Sequence, residues 1–163
     1  MLFFIEFYES EENNMADAGL STLGIKVYQA ETTNAQKVTS ADEYSQLTRI
    51  SSIGEVTITP EAIDASALED LDSQYVAGRS TVTDSLPFTI NATNETIAEW
   101  QAIAGKQICV MIDVPGLEDA FFVVVTVPET LPMPSLDQNA LLTMTVNCIV
   151  NKFVGLDTKV AIQ

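Results

Sequence analysis

The chain has 163 residues, with 7 Lys+Arg against 23 Asp+Glu and no histidine, giving a formal net charge of −16 at pH 7. At roughly 150 residues per domain this is one domain, large enough to bury about 68–70% of its unfolded surface without a metal or disulfide staple. Seven bases spread from Lys26 to Lys159 cannot build the clustered patch that displaces counterions from phosphates, and without imidazole there is no His general base, no Ser-His or Cys-His pair and no His metal ligand.

Residues 1–8 (MLFFIEFY) are apolar apart from Glu6 and run into the acidic residues 9–14. They lack the positive start, the longer apolar run and the small-residue cleavage site of a signal peptide. No run of about 20 apolar residues is present to span a bilayer. Residues 1–14 therefore read as an extension, from an upstream start or as a disordered arm, ahead of a single domain over 15–163. An ordinary extra strand over 2–8 is the alternative.

Residues 23–29 (LGIKVYQ) alternate apolar Leu23, Ile25 and Val27 with Gly24, Lys26 and Tyr28, the period of a strand with one buried face. Residues 31–45 are polar and without periodicity. A mixed strand pattern over 46–53 stops at Gly54. From 55 to 78 the β-branched Val56, Thr57, Ile58 and Thr59 give way to Pro60 and then to an acidic segment, which reads as a long loop leaving the sheet. The chain returns over 79–91 with alternating Val82, Leu86, Phe88 and Ile90, and Pro87 marks an edge position or an irregularity.

Residues 93–105 predict a helix, with Thr93 or Asn94 as N-cap, Glu95 in the first turn and Gly105 as the stop. Its apolar Ile97, Trp100, Ile103 and Ala104 share one face, and Trp100 is expected to plug the core. Residues 106–114 and 120–127 form a hairpin around the turn at 115–119, the second strand apolar enough to be buried on both sides. Pro128, Pro132 and Pro134 mark a linker before a last strand over 140–151, followed by a short tail. Cys109 and Cys148 each sit in an apolar run and read as buried free thiols, with a disulfide not excluded by sequence. Strands, one helix and a hairpin in this order predict a mostly β fold: an antiparallel β-sandwich or barrel, one α-helix flanking the sheet, and a long inter-strand loop.

Eight acids lie between Asp42 and Asp72, against the single base Arg49. Glu69-Asp70-Leu71-Asp72 lacks the glycine turn and spacing of a calcium loop. A glycosidase pair needs two carboxylates placed across a cleft, which sequence cannot locate. What remains is a solvated acidic face or a set of assembly contacts, because Ile58, Ile63, Leu68 and Leu71 are interspersed among these acids and need a partner surface to be buried.

Several segments, taken in order, carry a resemblance. They are Ser21-Thr22-Leu23-Gly24, Ile50-Ser51-Ser52-Ile53-Gly54, Ile63-Asp64-Ala65-Ser66-Ala67-Leu68-Glu69-Asp70 and Tyr75-Val76-Ala77-Gly78, then a strand with Phe88 and the single helix before the hairpin. This set resembles the tail tube (major tail) proteins of long-tailed bacteriophages, with Ala65-Ser66 where a Val-Thr pair is frequent in that family. The resemblance implies a non-catalytic structural subunit of the virion tail, assembled in the host cytoplasm and needing no cofactor or metal. Six copies would form a ring, and rings would stack with other tail proteins into a tube with an acidic lumen, through which DNA passes without specific binding. It implies an assembly loop built from Ile58, Glu61, Ile63, Asp64, Leu68, Glu69, Asp70, Leu71 and Asp72. A β-sandwich binding module, such as a capsid-decoration or adhesin-like domain, is the alternative.

Overall fold

Alternation of apolar side chains organises most of the chain, and the computed structural model describes residues 19–162 of it. In chain order the elements are β1 (Lys26–Glu31), β2 (Ser45–Leu47), β3 (Ile50–Ile53), β4 (Ile58–Asp64), β5 (Tyr75–Val82), β6 (Ser85–Asn91), the helix α1 (Asn94–Ala102), β7 (Gln107–Asp113), β8 (Asp119–Thr126) and β9 (Thr143–Thr158). Seven strands make one sheet in the order β2-β1-β7-β8-β9-β6-β3, β4 and β5 make a separate ribbon, and every pairing is antiparallel. Among the described residues the fold is mostly β with one α-helix, as the sequence predicts. Residues 1–14, read above as an extension, lie outside the described residues.

The sheet is rolled. Its edge strands β2 and β3 are consecutive in the chain, joined only through Thr48 and Arg49. At 3.8 Å per Cα step, Leu47 and Ile50 stand no more than about 11 Å apart. The run over 46–53 is thus one kinked passage, its first half paired with β1 and its second with β6. Arg49, at φ +59°, makes the kink. No hydrogen-bonded ladder joins β2 to β3, so the shell stays open along that seam.

Inside the roll lie Val27, Leu47, Leu86, Phe88, Ile90, Val110, Val123, Val125, Val146 and Cys148. Helix α1 closes one end. Its N-cap Thr93 accepts from the Thr96 amide while the Thr96 hydroxyl accepts from the Thr93 amide, a reciprocal capping box. This pairing also satisfies Thr96, which is buried. Trp100 and Ile103 enter the core, and Trp100 lies against Phe88 with ring centroids 5.5 Å apart. Gly105, at φ +75°, ends the helical region and turns the chain into β7.

The outer face of β1, β7 and β8 has its own apolar layer of Ala30, Cys109, Met111, Ala120, Phe122 and Val124. The aperiodic segment 32–44 covers it, with Ala35, Val38 and Tyr44, and so do Val160 and Ile162. The Tyr44 hydroxyl donates to the Val38 carbonyl, and Lys37 sits 4.2 Å over the Phe122 ring while pairing with Asp157 at 3.3 Å. Both cysteines are free and buried in different layers, Cys148 in the roll and Cys109 beneath this cover. Burial pushes the Cys148 thiol up to about 12.

Four expectations need correction. The segment 55–78 is not an irregular loop, since most of it belongs to the β4–β5 hairpin. The return over 79–91 is two strands, broken at Thr83-Asp84. The last strand runs to Thr158, because Asn151 and Val154 are extra residues opposite β8, and Gly155, at φ +87°, accommodates the second bulge. Pro87 lies in regular register on β6, an inner strand, at neither a sheet edge nor a bulge; its carbonyl accepts from the Gly54 amide, and because it has no N–H to return that bond the β3 ladder ends there.

Candidate assembly surface

The residues expected to form an assembly loop all fall on one projection. Ile58, Glu61, Ile63 and Asp64 are on β4, and Leu68, Glu69, Asp70, Leu71 and Asp72 are in the loop over 65–74 that joins it to β5. Every β4 residue is exposed, as is every β5 residue except Gly78. Register pairs Ile58 with Val82, Ala62 with Ala77, Ile63 with Val76 and Asp64 with Tyr75, with a bulge between Pro60 and Ala62. Ile58 and Val82 therefore share one face of the ribbon with Tyr75, while Ile63 and Val76 share the other. Both faces are apolar in part and neither is covered. At the tip, Leu68 and Leu71 have relative exposures of 110% and 101%.

This tip has a built shape. The neck is closed by the Ala65 amide donating to the Gln74 carbonyl at 2.9 Å and the Gln74 amide donating to the Ser66 hydroxyl at 2.8 Å. Two of the acids are used in folding it: Asp64 accepts from the Ser66 amide at 2.9 Å and Asp70 from the Ala67 amide at 2.7 Å. Hydrogen bonds from Ser66 hold the Asp64 carboxyl below the ordinary carboxylate range. The carboxylates of Glu61, Glu69 and Asp72 make no hydrogen bond or ion pair among the described residues and are free to meet a partner. At the base, Thr57 and Thr83 clamp the ribbon through a backbone bond of 3.1 Å and a hydroxyl pair at 2.9 Å.

Sequence reading missed Tyr75, Val76 and Val82, which complete the two faces. Their signal was the β-branched and aromatic content of residues 75–82, hidden because a ribbon exposed on both sides shows no single-face alternation. It also missed the open end of the roll. A cavity of about 840 Å³ extends along the β2/β3 seam, lined by Leu23, Ile53, Val56, Ile112, Phe121 and Phe153 among others. Among the described residues Arg49 is the one charged residue in that lining. Nothing local in the sequence marks this cavity, since it arises from closure of the sheet.

Among the described residues, three of the seven bases are held in ion pairs: Lys37 with Asp157, Lys106 with Glu31, and Lys159 with Asp113. Among the described residues no group of three or more His, Cys, Asp or Glu is placed to hold a metal, and no helix is long and apolar enough to cross a membrane.

The rolled sheet with helix α1 matches chains from two large assemblies. One is in the anti-feeding prophage (AFP) baseplate, a sixfold-symmetrised cryo-EM structure, with a TM-score of 0.55 and 15% identity over 83% of this chain and 93% of that one. Another is in the tail of an empty GTA particle, from helical refinement with C6 symmetry, with a TM-score of 0.56 and 8% identity over 86% of this chain and 99% of that one. The likeness is one of fold. No protein-family model matches the sequence, and no curated protein matches it.

Proposed function

We propose that this chain is a non-catalytic structural subunit of a phage-type tail. Six copies form a ring, rings stack into a tube with other tail proteins, and DNA moves through the lumen without being bound. The observation that carries this reading is the β4–β5 hairpin. A two-stranded ribbon is marginal in water on its own, yet this one stands clear of the core with apolar side chains on both faces and two fully exposed leucines at its tip. Exposure of that kind marks a contact surface. The same fold in two sixfold-symmetrised tail and baseplate particles supports a ring as the product.

The charge pattern supports the role assigned to DNA. With three bases paired and the others dispersed, no basic groove is available. Six copies at −16 each carry −96 in all, so the wall of the lumen repels the phosphate backbone, within about 8 Å at physiological salt. Subunits can still approach one another on neutral ground. The outward positions of β6 and β9 pair Ser85 with Ile149, Pro87 with Asn147, Thr89 with Thr145 and Asn91 with Thr143, none of them charged.

The test is particle mass against concentration for the chain and for a Leu68→Ser/Leu71→Ser variant. The chain is expected to form hexamers and larger multiples, and the variant, whose changes touch no core residue, to remain folded and associate at least about tenfold more weakly. Equal association of the two would remove the hairpin from the assembly.

A further inference from the structure

We propose that the hairpin tip of one copy seats in the open end of the rolled sheet of a second copy, with Leu68 and Leu71 in the cavity and Arg49 facing the acids beside them. This rests on the self-assembly reading and names the surface that receives the hairpin. The cavity, about 840 Å³, is lined by Leu23, Ile53, Val56, Ile112, Phe121 and Phe153 among others. Its size is within the range of roughly 300–1,000 Å³ typical of sites that enclose compact apolar groups.

Charge supports the pairing. In a chain of net −16, the one charged side chain of the lining is a base, Arg49, with no acid within ion-pair distance among the described residues. The tip presents the opposite sign, with Glu69 and Asp70 between the two leucines and Asp72 after them. Glu69 and Asp72 are not used in folding the loop, so they can meet a guanidinium.

The tip cannot reach its own cavity. Val56 lies in the lining and β4 begins at Ile58, so the ribbon starts where the roll opens. Seven residues at about 3.3 Å each carry its far end some 20 Å away, and pairing with β5 keeps β4 extended. A hairpin tip seated there therefore comes from a second copy. Tip into cavity is a contact between unlike surfaces, the kind that closes into rings or continues as filaments according to its rotation.

Hydrogen–deuterium exchange on the full chain at increasing concentration tests this. Residues 68–72 and the cavity segments 23–25 and 46–54 are expected to gain protection together as particles form, and Leu68→Ser/Leu71→Ser to remove both gains. Arg49→Glu should weaken association about tenfold, and Glu69→Lys in the same chain should restore part of the loss. Lys152→Glu, on β9, makes the same change in net charge and should weaken association less than threefold. Particles that form with the cavity segments unprotected overturn the docking and leave self-assembly standing. A cavity already protected in dilute monomer also overturns it, because its cover then belongs to the same chain. Absence of any association overturns both.

Discussion

Asp64 shows how one side chain sets the shape of the hairpin tip. Its carboxylate accepts from the Ser66 amide at the mouth of the loop, and these bonds favour the charged form, lowering its pKa. A group whose folded pKa is depressed contributes order that is fully present above its unfolded value and is lost as pH falls through the folded one. The order that Asp64 contributes is therefore fully present at neutral pH and is lost in acid, as pH falls from the ordinary carboxylate range through the lowered value. In an NMR titration Asp64 should protonate below the ordinary carboxylate range, and the Ser66 amide shift should follow it. In Asp64→Ala that pH dependence of Ser66 should vanish. An Asp64 that titrates within the ordinary carboxylate range would contradict the assignment.

Among the elements, α1 is the one whose anchoring can be read from a single residue. Trp100 is fully buried against Phe88, and its Nε1–H has no partner among the described residues. Trp100→Ala should cost about 3–5 kcal/mol, whereas Trp100→Phe should cost clearly less, because it keeps an aromatic ring and removes an unsatisfied donor. Denaturant unfolding of both variants checks this, and equal losses would mean that the indole is not the anchor. Helix α1 was legible because cap, stop and apolar face all lie within thirteen residues. The β7–β8 hairpin was legible for a similar reason, its continuous apolar run being that of an inner strand. Strand β9 was legible only in part. Its two extra residues, Asn151 and Val154, break the alternation that marks residues 144–148, so the sequence beyond them looks like a tail. The hairpin failed as a strand prediction for the opposite reason to β9: its pairing is nearly regular, but with both faces exposed and Pro60 within it the pattern reads as loop. Its apolar residues nevertheless stood out as needing a partner. The cavity depends on β2 and β3 meeting after the sheet rolls, a consequence no local pattern carries.

For the whole molecule, charge opposes the association proposed for the hairpin. Each copy carries −16, and at about 0.01 M salt the screening length is about 30 Å, comparable to the subunit itself, against about 8 Å at 0.15 M. Assembly should strengthen as salt rises between these values, even though the Arg49 contact alone would weaken. A light-scattering series in sodium chloride measures the balance, and assembly that declines steadily from the lowest salt would mean that attraction between opposite charges dominates. The central claim is that this fold makes sixfold rings through an exposed hairpin. Electron microscopy of the concentrated chain at 0.15 M salt tests it most directly: class averages should show stacked rings of six subunits around an open lumen, absent in Leu68→Ser/Leu71→Ser. Separate monomers at every concentration, or particles without a central hole, would contradict it.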